Sequence, residues 1–121
     1  MGNVLDAAAD AFPEDHPASA YVRGVAGLSA CRAGQAERGE GLLREALAWR
    51  LANLPEGHWA AASSHNALGD CLLAQGRLDE AEALLVPSLE TLREARGEDH
   101  VLTRIARERL DALAAARRGG D

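Results

Sequence analysis

The chain has 121 residues and a formal net charge of −6, from 13 basic and 19 acidic side chains. That size allows one domain or a piece of a larger protein, and the acidic balance argues against nucleic acid, because phosphate binding needs clustered positive charge. Hydrophobic residues make up 47% but aromatics only 3%, so the core has to come from Leu, Ala and Val, which points to an all-α protein; no apolar run approaches the roughly 18 residues that a membrane span needs.

Taken in chain order, residues 3–12 (NVLDAAADAF) read as the last turns of a helix whose start is missing. Met1-Gly2 then marks either a fragment or an abridged cap, and the fragment is the preferred reading. The N-terminus carries no basic region followed by an apolar stretch, which argues against secretion and for the cytoplasm. From Pro13 onward the chain repeats: PEDHP, PEGHW and GEDHV start at Pro13, Pro55 and Gly97, each 42 residues after the last. Residues 13–54 laid over 55–96 without a gap share eleven identities, among them Gly27/Gly69, Gly34/Gly76, Glu40/Glu82 and Leu43/Leu85. Residues 97–118 form a shorter third copy.

Each copy predicts two helices. In the second, residues 58–75 place Ala62, Leu68, Leu72 and Leu73 at helical spacing until Gly76 stops them. Residues 78–96 then carry Leu78, Ala81, Leu85, Leu89 and Leu92 as one apolar stripe. Pro87 should kink this helix or remove one internal hydrogen bond. The first copy has the same plan with more interior glycine, each costing about 1 kcal/mol against alanine unless close helix contact compensates. The Gly27/Gly69 column faces the small pair Gly39/Ala81, which suggests such an approach, with Leu43, Leu72 and Leu85 filling the space between. Residues 100–118 predict a closing helix with Leu102, Ile105, Ala106, Leu110 and Leu113 inward. Its arginines form a solvated cap of the kind a repeat stack needs for solubility.

The three Glu-x-His stretches put His16, His58 and His100 in one slot. Stacked repeats would separate these by two helix layers of roughly 8–10 Å each, so they cannot share a metal ion. No nucleophile or second acid recurs with them. They are expected at structural joints, where a ring can bond free backbone groups at a helix start. Cys31 and Cys71 lie 40 residues apart in apolar stretches with no CxxC spacing, and reduced, buried thiols are the expectation.

The run ALGDCLLAQGRLDEAEALLVPSLETLREARGEDH resembles the tetratricopeptide repeat, with Leu68, Gly69, Leu72, Gly76, Ala81, Leu85 and Ser88 in the family's signature columns. Its 42-residue period is similar to the longer variety of kinesin light chains and many bacterial regulatory proteins. The resemblance implies a right-handed α-solenoid of stacked antiparallel helix pairs, a superhelix whose concave groove is lined by the first helix of each pair. The groove positions it implies are Tyr21, Leu28 and Arg32 in the first copy, Ser63, Asn66, Asp70 and Leu73 in the second, and Glu108 in the third. Asn66 matches an asparagine that bonds the main chain of an extended peptide in the kinesin-light-chain type. The chaperone-binding subgroup's carboxylate clamp is not matched, since Gly24, Leu28, Glu108 and Ala112 depart from it. The implied function is a non-catalytic module that binds a protein or peptide segment in the groove, with no cofactor. The alternative is homotypic assembly through the N-terminal end of the stack. No phosphate loop, nucleophile elbow or metal-ligand cluster speaks for an enzyme.

Overall fold

In a computed structural model of the protein, which describes residues 17–119, the chain is a run of antiparallel helices with no strand among the described residues. They are α1 (Pro17–Arg32), α2 (Ala36–Asn53), α3 (Trp59–Ala74), α4 (Leu78–Arg96) and α5 (Val101–Gly119). The expected helix over residues 3–12, the start of the first repeat and His16 lie outside the described residues.

The repeat identities account for how each hairpin turns. Gly34 and Gly76 have φ of 85° and 78°, a left-handed conformation that suits a residue without a Cβ. After Gly34, the Gln35 amide donates to Ala30 O at 2.8 Å; after Gly76, the Arg77 amide donates to Leu72 O at 3.0 Å. These bonds close the end of the first helix of each pair in the same six-residue loop and turn the chain into the second. The slot between hairpins is also constructed twice. His58 Nδ1 accepts from the Ala60 amide at 3.0 Å, and His100 Nδ1 accepts from the Leu102 amide at 3.1 Å. Each ring thus satisfies one of the free amides at the start of its helix.

Close approach within a hairpin rests on the small columns. A Cβ on Gly69 would stand 2.8 Å from Leu85 Cγ, and one on Gly27 would stand 2.9 Å from Gly39 O. Leu43, Leu68, Leu72 and Leu85 are each at most 1% exposed and form the main core with Ala67, Ala81 and Leu113. A second cluster of Ala62, Leu89, Leu92 and Ala106 joins α3 and α4 to α5. α2 packs on both α1 and α3, which also touch each other, and α5 closes on α4 and α3. The stack is an all-α helical repeat solenoid. Pro87 lies inside α4, which runs on as one helix. Pro87 and Ala83 are both exposed, so the carbonyl that the proline cannot serve is on the solvent side.

The Glu40/Glu82 column ties the second helix of each pair to the next layer of the stack. Arg77 Nη1 donates to Glu40 Oε1 at 2.7 Å, and Arg117 Nη2 donates to Glu82 Oε1 at 2.6 Å. Burial raises the Glu40 pKa, but hydrogen bonds from Arg44, Gln75 and Arg77 outweigh it and hold the carboxyl below its ordinary value.

Two expectations need correcting. Cys31 and Cys71 are joined in a disulfide, with Cα atoms 5.6 Å apart, instead of standing as reduced thiols. Stacking lays the last turn of α1 beside the last turns of α3, a juxtaposition that sequence spacing alone does not reveal. The closing helix's arginines do not all point to water either. The Arg109 side chain is 14% exposed and reaches across to α3.

Candidate functional site

α1, α3 and α5 are the first helices of successive copies, and their shared face is the candidate groove. Near its N-terminal end lies a cleft of about 230 Å³. Tyr21, Val25 and Leu28 of α1 form one wall, Trp59 and Ser63 of α3 the other, and Leu102 of α5 closes it. Tyr21 is 65% exposed above it, and Val25 is exposed beside it. The Trp59 ring is held from outside, with Arg96 4.5 Å from its centroid and the His58 ring stacked at 5.5 Å. Cation–π and stacking contacts of this kind orient an indole.

Arg50 of α2 forms part of the floor. Its Nη1 donates to Ala60 O at 3.0 Å and to Ser64 Oγ at 2.9 Å. Both acceptors are neutral, and no carboxylate pairs with Arg50 among the described residues. Burial lowers its pKa from the ordinary value, the sign expected for a cation withdrawn from water without a counter-charge. Arg50 was not singled out in the sequence, although a signal exists. It stands in the column that Leu92 fills in the next copy, and Leu92 is 1% exposed, so an arginine there is a charge in a core slot.

Farther along the groove, Asp70 lies between two cations, 3.8 Å from Arg32 Nη2 and 3.6 Å from Arg109 Nε. Asn66, one turn earlier on α3, is 1% exposed. Its amide donates to Ser88 Oγ at 2.8 Å, and its Oδ1 accepts from Arg109 Nη1 at 2.8 Å. Asn66 is therefore an interior clasp of α3, α4 and α5, and both ends of its amide are occupied by the protein. Burial lowers the Arg109 pKa, with Asp70 acting against that shift. Arg32, Asp70 and Arg109 thus bind the three groove helices together at one level.

The sequence-derived groove positions therefore divide by depth. Tyr21 and Ser63 line the cleft, Leu28 lines it and also packs on the core, and Leu73 packs on the core. Arg32 and Asp70 join Asn66 in the polar clasp, and Glu108 is exposed on α5. His58 and His100 cap their helices and take no part in the groove. His65 lines a separate cleft of about 250 Å³ with His58, Pro87 and Thr91. Among the described residues no three His, Cys, Asp or Glu side chains are grouped to hold a metal ion. No helix there is long and apolar enough to cross a membrane.

Residues 59–118 match the family model described as Tetratricopeptide repeat. No curated protein matches the chain. The match runs from the first residue of α3 to the end of α5, the stretch that holds the second hairpin and its closing helix. Residues 59–118, the second hairpin and its closing helix, are thus similar to the tetratricopeptide repeat, a helical repeat that in general mediates protein–protein interaction.

Proposed function

We propose that the protein is a non-catalytic interaction module which takes a protein segment in the cleft between α1 and α3. One observation carries the reading: an apolar cleft, open to solvent beneath an exposed Tyr21, has in its floor the Arg50 guanidinium, bonded to two neutral acceptors and, among the described residues, paired with no carboxylate. Exposed aromatic and aliphatic side chains around a concavity favour burial by a partner. A cation that has given up water for two neutral acceptors can still take an acceptor from that partner. We read the repeat as the longer, 42-residue variety, a reading supported by the unbroken register of PEDHP, PEGHW and GEDHV, and we place its work in the cytoplasm, within a larger regulatory protein.

The test is to select peptides from a displayed random dodecapeptide library and map them by nuclear magnetic resonance. Shifts should cluster at Tyr21, Leu28, Trp59 and Ser63, and Tyr21→Ala should weaken binding about tenfold, the loss of one interface anchor of roughly 1.4 kcal/mol. Shifts confined to the α2 and α4 outer faces would refute it.

Homotypic assembly is the second reading. It draws support from a cleft of about 350 Å³ between α1 and α2, lined by Ser19 and Trp49. Ser19 Oγ and Trp49 Nε1 are buried and, among the described residues, have no hydrogen-bond partner. Light scattering across a dilution series tests it, and a strictly monomeric species would sink it.

A further inference from the structure

Cys31 and Cys71 join the two groove walls covalently, one in the last turn of α1 and the other near the end of α3. The two residues are 7% and 1% exposed. The bond lies at the level of the polar clasp, since Arg32 and Asp70, the ion pair that also spans α1 and α3, are the chain neighbours of the two cysteines. Behind Cys31 there is no slack. Gly39 of α2 faces its sulfur so closely that a Cβ on Gly39 would collide with it, and would stand 2.6 Å from Gly27 O as well. If the bond opens, the two sulfurs need van der Waals separation, and Cys31 cannot withdraw toward α2 to provide it. Either Cys71 turns away or the spacing of α1 and α3 changes, and the second is the movement that reaches the groove.

We propose that this disulfide is a redox gate on the groove: oxidised, it holds α1 and α3 at the spacing that forms the cleft, and reduced, it lets them part and weakens binding of a protein segment. The proposal rests on the groove reading and names the regulation of that same site. It also agrees with the proposed cytoplasmic setting, where disulfides are mostly transient and redox-sensing. The Tyr21–Ser63 part of the cleft lies ten residues before Cys31 and eight before Cys71, about 12–15 Å along parallel helices. A change of spacing at the sulfurs therefore reaches the cleft through two rigid rods. The reductant is a dithiol. One of its thiolates attacks Sγ of Cys31, the more exposed residue of the two, and Cys71 leaves as a thiolate that takes up a proton. The second thiol of the reductant then displaces Cys31 as a thiol and closes the reductant's own disulfide.

Mass spectrometry of a non-reducing digest must first find the Cys31 and Cys71 peptides linked; two separate thiols after air oxidation would overturn the proposal. Peptides from the dodecapeptide library selected on oxidised protein are then titrated against oxidised protein, dithiothreitol-reduced protein and Cys71→Ser. Binding should fall at least tenfold on reduction, return on reoxidation with oxidised glutathione, and be weak for Cys71→Ser whatever the redox state. Equal affinity in both redox states would refute the gate and leave the groove reading standing. Failure to select any peptide on either form would refute both. Hydrogen–deuterium exchange separates a gate from a staple: faster exchange confined to α1 and α3 on reduction supports the gate, and faster exchange in every helix overturns it.

Discussion

The most direct test of the packing is to make the same substitution at two glycines of the first hairpin. At Gly27 an added Cβ would lie 2.7 Å from Leu43 Cγ, 2.9 Å from Gly39 O and 3.1 Å from Leu43 Cδ2. Leu43 is 1% exposed, and Gly39 O is backbone and cannot swing aside. At Gly41, also inside a helix, an added Cβ meets nothing within 4 Å. Alanine gains up to about 1 kcal/mol over glycine from helix propensity at either site. Overpacking a tight interface costs about 1–3 kcal/mol, and a backbone obstacle puts Gly27 in the upper part of that range. Gly41→Ala should therefore stabilise by about 0.5–1 kcal/mol, and Gly27→Ala should destabilise by about 1–2 kcal/mol.

For a chain of this size each kcal/mol moves the melting temperature by roughly 3–5 °C. The two variants should thus melt about 5–15 °C apart on either side of the parent, a range that comes from the same scaling. The assay is urea and thermal unfolding followed by far-ultraviolet circular dichroism, with all three proteins kept oxidised so that the Cys31–Cys71 link is common to them. If Gly27→Ala proves as stable as Gly41→Ala, the close approach of α1 and α2 is not what requires glycine, and the small-residue column has another cause.

Two histidines give further outcomes. His58→Ala should lose about 1 kcal/mol in urea unfolding, since the ring caps the Ala60 amide, while His58→Asn, which can also cap, should recover most of it; equal losses in the two would refute capping. Burial lowers the His65 pKa from its ordinary 6.5, partly offset by a hydrogen bond to the Ala61 backbone. The unfolded chain therefore binds more protons than the folded one just below that pH. Stability is full above about 6.5 and falls as pH drops through the lower folded value. Urea midpoints measured from neutral pH downward should decline less steeply in His65→Gln, and parallel declines would refute the assignment.

The repeat columns made the skeleton readable because they encode local events. Gly34 and Gly76 stop helices, the histidine slot starts them, and the Leu43/Leu85 stripe declares a buried face. Each depends on residues within a few positions, so periodicity suffices. The interior glycines were readable only in part: the Gly27/Gly69 column announced a close approach, but Gly24 and Gly41 looked similar and face open space. Which glycine touches a partner is decided by the rotation of one helix against another, and that is set by all the side chains at the contact.

The groove was harder because its chemistry is shared among helices far apart in the chain. Asn66 reads as a ligand-facing amide only through its match to the peptide-bonding asparagine of the kinesin-light-chain type. Its fate is decided by Arg109, 43 residues later, and Ser88, 22 residues later, which occupy both ends of the amide. The converse holds at Arg50. A repeat predicts an apolar side chain wherever its partner column holds Leu92, so an arginine in that slot is a departure that needs a compensating group. Two neutral acceptors, Ala60 O and Ser64 Oγ, compensate it in part. Columns that agree between copies therefore report the scaffold. A column that breaks from apolar to charged, on a side chain that the stack still buries, is where to look for what this copy does beyond folding, and Arg50 is such a break in the floor of the cleft.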